Sequence, residues 1–210
     1  MHCLKKKIFL LIEQQIKSQK IELPQFVTST RLKRPEKVLL KTDKKTKFTP
    51  RRLARELVLH GLYSLEFSNN QTVTEVIADI KNLNFGNISQ ELDEELENLI
   101  ERNDTNFQKK AMTYFEQLFI KVFNNKRELE DELKKRAKNW KMDRITLMDK
   151  LIIIIGLCEL KYFDSVPPLA VMNEAIEISK KFSSPKSGKF INGVLNSYYA
   201  DSSQTAENIS

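Results

Sequence analysis

Glycine and proline are scarce in this 210-residue chain, at 5 and 6 residues, which argues against a turn-rich β fold and against a collagen-like repeat. Cysteine is scarcer. Cys3 and Cys158 lie far apart, with no Cys or His at ligand spacing around them, so neither a disulfide framework nor a zinc site is legible. A reducing, cytoplasmic compartment is the expectation. Only two histidines occur, His2 and His60. Glu56 precedes His60 by one turn but no second ligand follows, so His60 reads as a surface or half-buried helix residue rather than a metal ligand. Long apolar runs are missing too. Ile8–Ile12 follows Lys5-Lys6-Lys7 but gives way to Glu13 rather than to a small-residue cleavage site, unlike a secretion signal. Leu151–Leu160, bordered by Lys150 and Lys161, is about half the length of a membrane-spanning helix. A glycine-rich phosphate loop, a dinucleotide fingerprint and the hydrolase and kinase motifs are all lacking, so the sequence carries no positive sign of catalysis, a cofactor or a metal.

What the chain has is 40% apolar residues, 12 of them Phe, set at helical spacing. Thr49-Pro50 reads as a cap and first helical position for a helix to about Phe67, with Ala54, Val58, Gly61, Leu62 and Leu65 facing the core. Further helices are expected over 73–83, 89–102, 105–123, 126–138 under an Asn125 cap, 144–163 under an Asp143 cap, and 169–182 after the Val166-Pro167-Pro168 break. A last helix runs from Ser184-Pro185 to about Tyr199. No strand alternation competes. The expectation is an all-α body of about seven helices over 49–200, followed by a polar, frayed tail over 201–210.

Charge is uneven. Of the 35 Lys/Arg and 28 Asp/Glu, 13 and 4 fall in residues 1–48, leaving 22 against 24 for the rest. Basicity therefore belongs to an N-terminal extension, read as largely disordered with a short helix over 5–20, that would be drawn to any polyanion. The acidic run Glu91 to Glu101 reads as a solvated helix face, or else as a contact for a basic protein partner.

Two basic clusters stand on the body. Arg51, Arg52 and Arg55 fall within one turn at a helix start, where the helix dipole disfavours cations, so a negative group is expected to visit; the alternative is a solvated charged face. Tyr63 lies further along the same helix. The second cluster, Ser183-Ser-Pro-Lys186-Ser-Gly-Lys189-Phe190-Ile-Asn192-Gly193, places serine hydroxyls and two lysines at another helix start, a setting that receives phosphate. Phe190 or Tyr63 is placed to stack a base and Asn192 to read a base edge, as in single-stranded RNA recognition, with core packing the alternative for Phe190. Gly193 inside a helix costs about 1 kcal/mol relative to Ala, which close approach of a helix or ligand is expected to offset.

The stretches Arg51-Arg-Leu-Ala-Arg-Glu-Leu-Val-Leu-His-Gly-Leu-Tyr-Ser64 and Pro168-Leu-Ala-Val-Met-Asn-Glu-Ala-Ile-Glu-Ile-Ser-Lys-Lys-Phe182, then Lys189-Phe-Ile-Asn-Gly-Val-Leu-Asn196, closely resemble the bacterial NusB family over about residues 49–200. Asp143-Arg-Ile-Thr-Leu-Met-Asp-Lys150 and Cys158-Glu-Leu160 fit the same pattern. The resemblance implies an all-α fold of two small helical bundles packed crosswise and a non-enzymatic role in transcription antitermination. In that role the protein pairs with ribosomal protein NusE, binds the boxA element of nascent ribosomal RNA, and acts with the RNA polymerase elongation complex and other Nus factors. Carried over by position, the family's RNA contacts fall on Arg51, Arg52, Arg55, Lys189, Phe190 and Asn192, with Tyr63 at the edge of the RNA and NusE surfaces.

Three positions depart from the family: Lys186 replaces a common acidic residue, Leu53 stands where many relatives have a third consecutive arginine, and residues 1–48 lie outside the resemblance. Lys186 is counted with the RNA-binding set. The alternatives are the helical module of an RNA methyltransferase, which would need an α/β cofactor domain not readable here, and a general helical interaction or DNA-binding module. Monomer or RNA-masking homodimer is left open.

Overall fold

The computed structural model describes residues 49–68, 71–82, 105–137 and 145–207. The N-terminal extension, the expected helices over 5–20 and 89–102, the acidic run Glu91 to Glu101 and the expected Asp143 cap lie outside these residues.

Seven helices make up the described residues: α1 (Pro50–Phe67), α2 (Val73–Lys81), α3 (Thr105–Asn124), α4 (Lys126–Arg136), α5 (Leu147–Tyr162), α6 (Pro168–Phe182) and α7 (Ser187–Glu207). They group as α1–α3 on one side and α4–α7 on the other, with α1 and α3 both packed on α5. None of the helices is long and apolar enough to cross a membrane.

Caps explain where several helices begin. Thr49 Oγ1 accepts from the Arg52 N–H at 3.2 Å, with Pro50 in the first turn. Thr72 and Glu75 form a reciprocal capping box at α2. Thr146 Oγ1 accepts from the Asp149 N–H at 3.1 Å at α5. Asn125 makes no side-chain cap for α4; its Nδ2 donates instead to the Lys121 carbonyl at 2.7 Å, closing the end of α3. At its other end, α7 continues to Glu207, past residue 201 where a frayed tail was expected. The continuation has an anchor: Arg136 of α4 lies over the Tyr198 ring at 4.8 Å and donates to Asp201 at 3.1 Å.

The core is centred on α1 and α5. Leu53 through Leu62 are all buried, as are Leu151 through Glu159, so neither helix has a solvent face across its middle. The expected core stripe of α1 is thus only part of what is buried. α1 is enclosed by α2 and α3 within its own group and by α5 and α6 from the other, and its polar residues must find partners inside. Two glycines permit the closest approaches. A Cβ on Gly61 would lie 2.7 Å from Phe119 of α3, and one on Gly156 would lie 2.8 Å from Leu195 of α7.

Candidate nucleic-acid interface

The three arginines at the start of α1 have three different surroundings. Arg51 is exposed, its guanidinium carbon 5.3 Å from the centre of the Tyr114 ring of α3. Arg52 turns toward α6, where Nε and Nη2 donate to Glu174 at 2.8 and 2.6 Å; its side chain is 12% exposed. Arg55 is 3% exposed, with Nε on both oxygens of Glu159 at 3.0 and 2.8 Å and Nη1 3.7 Å from Glu174. The Tyr114 hydroxyl donates to the same Glu159 carboxylate.

A chain of ion pairs and hydrogen bonds therefore runs Arg52–Glu174–Arg55–Glu159–Tyr114 through four helices, half-buried at Arg52 and Glu174 and buried from Arg55 on. Burial opposes the charge on Arg55, but the Glu159 carboxylate and its hydrogen bonds outweigh it and raise the guanidinium pKa. Burial and Glu159 likewise push the Tyr114 phenol up, so it stays a donor. For Arg52 and Arg55 the negative groups expected to visit are internal carboxylates. Arg55 is accordingly corrected from an RNA contact to a buried ion-pair partner, because breaking that pair would leave Glu159 charged in the core.

The start of α7 divides differently. Lys186, Lys189 and Asn192 are exposed, whereas Phe190 is 6% exposed and belongs to the core, so its assignment as a base-stacking ring is corrected. The serines do not wait for a phosphate. Ser183 Oγ donates to the buried Asp149 at 2.6 Å, and Ser187 Oγ is 3.0 and 2.8 Å from the hydroxyls of Ser183 and Ser184. Their hydrogen-bonding capacity is used inside the protein. Gly193 is exposed with no atom within 4 Å of a Cβ placed there, so no neighbouring helix explains it.

Contacts between α1 and α6 relate the two clusters. Arg52 meets Glu174, Glu56 meets Lys181 at 2.5 Å, and His60 meets the Phe182 ring edge-on at 5.2 Å. With a rise of 1.5 Å per residue, the turn leading into α7 lies about 12 Å along α1 from Arg52. Tyr63, one turn further, is half-buried, its ring 4.8 Å from that of Phe67.

His60 is buried rather than on the surface, and its Nε2 meets no hydrogen-bond partner among the described residues. Burial, with Lys181 nearby, lowers its pKa from 6.5 to about 4 and keeps the ring neutral. Cys158 is buried, and its thiol is pushed up to about 12 by burial. Among the described residues no three His, Cys, Asp or Glu side chains gather as a metal site.

Sequence reasoning missed Tyr114, Glu159 and Glu174 as partners of the arginines. A signal existed for Glu159, an acid at the end of an apolar run with Cys158 and Leu160 beside it, since an acid in such a place needs an internal cation. Lys109 and Lys110 were also missed. They are exposed on α3 and line, with Arg51 and Tyr114, an open cleft of about 740 Å³.

Known proteins share this sequence pattern and this architecture. A family model described as the NusB family matches residues 52–200. The transcription antitermination protein NusB of Methylacidiphilum infernorum is 31% identical over 156 residues, covering 74% of this chain and 94% of that protein. That of Bacillus subtilis is 33% identical over 155 residues, covering 74% and 98%. The solved structure of T. maritima NusB matches with a TM-score of 0.56 at 24% identity over 72% of this chain and 92% of its own, a likeness of fold.

Proposed function

Because the chain belongs to the NusB family, we propose that it is a transcription antitermination factor, a non-catalytic RNA-binding adaptor working in the cytoplasm. In this reading it pairs with ribosomal protein NusE and binds boxA single-stranded RNA in nascent ribosomal transcripts. With other Nus factors, the pair then keeps the RNA polymerase elongation complex from terminating early. Residues 49–200 form the RNA-binding unit and residues 1–48 add sequence-independent attraction for polyanions.

The observation that carries this reading is the family match over nearly the whole helical body, joined to exposed cations at two neighbouring helix starts. Arg51, Lys186 and Lys189 supply phosphate contacts, Asn192 a base-edge contact, and Tyr63 the edge shared with NusE. The exposed backbone at Gly193 allows a sugar or phosphate to approach closely. Arg52 reaches the strand only where a phosphate takes the place of Glu174. Arg55 and Phe190 support the surface from inside.

The test is RNA binding by the full chain with and without NusE, using cognate and scrambled boxA strands over a range of salt. Cognate RNA is expected to bind more tightly, and NusE to strengthen it further. Each phosphate contact contributes roughly 0.7 to the steepness of the log–log salt plot, so Arg51→Ala should flatten it by about that amount. Equal affinity for cognate and scrambled strands in the presence of NusE would refute the reading.

A further inference from the structure

Beside the start of α1 lies a concentration of positive charge of which the reading above uses only Arg51. Arg51 and Arg52 are adjacent but diverge, Arg52 toward Glu174 of α6 and Arg51 over Tyr114 of α3. On the α3 side, Arg51, Lys109 and Lys110 line a cleft of about 740 Å³, together with Thr113, Tyr114 and Gln117. No carboxylate among the described residues lines it. Among the described residues none of the three cations is ion-paired, whereas Arg52, Arg55, Lys81, Lys126, Lys150 and Lys181 all are.

Residues 49–210 carry 22 Lys/Arg against 24 Asp/Glu, so three unopposed cations in one concavity stand out from their setting. A cleft lined by one sign of charge focuses its field and concentrates counter-ions of the other sign. Its size suits a nucleotide-sized group, and hydroxyl and amide groups of Thr49, Asn106, Thr113 and Gln117 stand among largely apolar walls, a mix that can hold a base beside its phosphate. Among the described lining residues the one aromatic ring, Tyr114, lies under Arg51 and its hydroxyl is held by Glu159. A guanidinium lying over that ring can in turn stack a base.

We propose that the α1–α3 cleft, with Arg51, Lys109 and Lys110, is a second binding segment for single-stranded RNA, continuing past the start of α1 the path that begins at α7. This rests on the RNA-binding reading above and extends it to a helix that reading does not use. Arg51 belongs to both segments and is the cation at which the strand passes from one to the other.

The test uses full-length protein and a fluorescent boxA-type single strand with flanking nucleotides, titrated over a range of salt. Lys109→Glu/Lys110→Glu is compared with Lys134→Glu/Lys135→Glu, an equal charge change at exposed positions on α4 outside the cleft, where Lys134 meets Asp131 at 3.1 Å. The cleft variant is expected to bind about tenfold more weakly, with a log–log slope shallower by roughly 1.4, two contacts' worth. The α4 variant should keep most of the affinity and slope. The cleft variant should melt like wild type, since among the described residues both cleft lysines are exposed and unpaired. Equal losses in the two variants would mean diffuse attraction and overturn the proposal. So would wild-type binding by the cleft variant, which leaves the RNA-binding reading standing. If wild-type protein binds no RNA, both fall. A final arm titrates uridine monophosphate: loss of mononucleotide binding in the cleft variant with RNA binding intact would mark a free-nucleotide site and also overturn the strand proposal.

Discussion

The first turns of α1 and α7 both carry closely spaced cations, yet the two regions are built in opposite ways. At α1, two of three arginines are drawn into a chain of carboxylates from α5 and α6, and only Arg51 is exposed. At α7, the lysines stand clear while the serines and Phe190 are taken inward. Cation spacing is therefore a poor guide to which charges meet solvent. What decides is whether an acid from a distant helix arrives underneath. Glu159 and Glu174 do so for α1; at α7 the acid that arrives, Asp149, meets Ser183 rather than Lys186 or Lys189.

The largest test of this contrast removes the buried charge. Arg55→Ala leaves Glu159 unpaired in the core and should cost about 3–5 kcal/mol of stability by urea denaturation. Lys189→Ala, at the open end, should change stability by less than about 0.5 kcal/mol. Similar losses from the two substitutions would erase the distinction.

Acid should find the weak point between the two regions, at His60 against Phe182. The folded ring has a pKa near 4, below its ordinary 6.5, so from pH 6.5 down to about 4 the unfolded chain binds more protons and stability falls as pH falls. The loss should reach about 3 kcal/mol and be complete below pH 4, with no contribution above 6.5. His60→Leu should remove that part of the pH dependence; an unchanged slope in urea melts over this window would show that the ring does not stay neutral.

Two glycines sharpen the comparison at smaller scale. Gly156→Ala drives a methyl against Leu195 on the inner side of α7 and should destabilise by about 1–3 kcal/mol. Gly193→Ala, on the outer side, meets nothing and should stabilise by roughly 0.5–1 kcal/mol while weakening RNA binding. If Gly193→Ala binds RNA like wild type, the backbone approach proposed for that position is wrong.

Much of the fold was legible because helix periodicity and capping are local. Thr49-Pro50, the Pro167-Pro168 break and the Phe107 to Val122 stripe placed α1, α6 and α3 to within a residue or two. Helix ends held by remote contacts were not legible. The run of α7 to Glu207 leans on Arg136 of α4, and Asn125 caps the helix behind it rather than the one ahead. Of the candidate interface, Arg51, Lys186, Lys189 and Asn192 were read from the sequence at positions the structure leaves exposed. Arg55 and Phe190 were read at positions it buries, because helical spacing says which residues share a face but not whether that face is covered.

By itself, then, the sequence determined the helical composition, most of the helix boundaries and the family pattern, all of which rest on interactions within a few residues. Only the tertiary structure decided which cations of those helices face solvent. The carboxylates that neutralise Arg52 and Arg55 lie more than a hundred positions further along the chain, and burying a charge is tolerable only where such a partner is delivered to it.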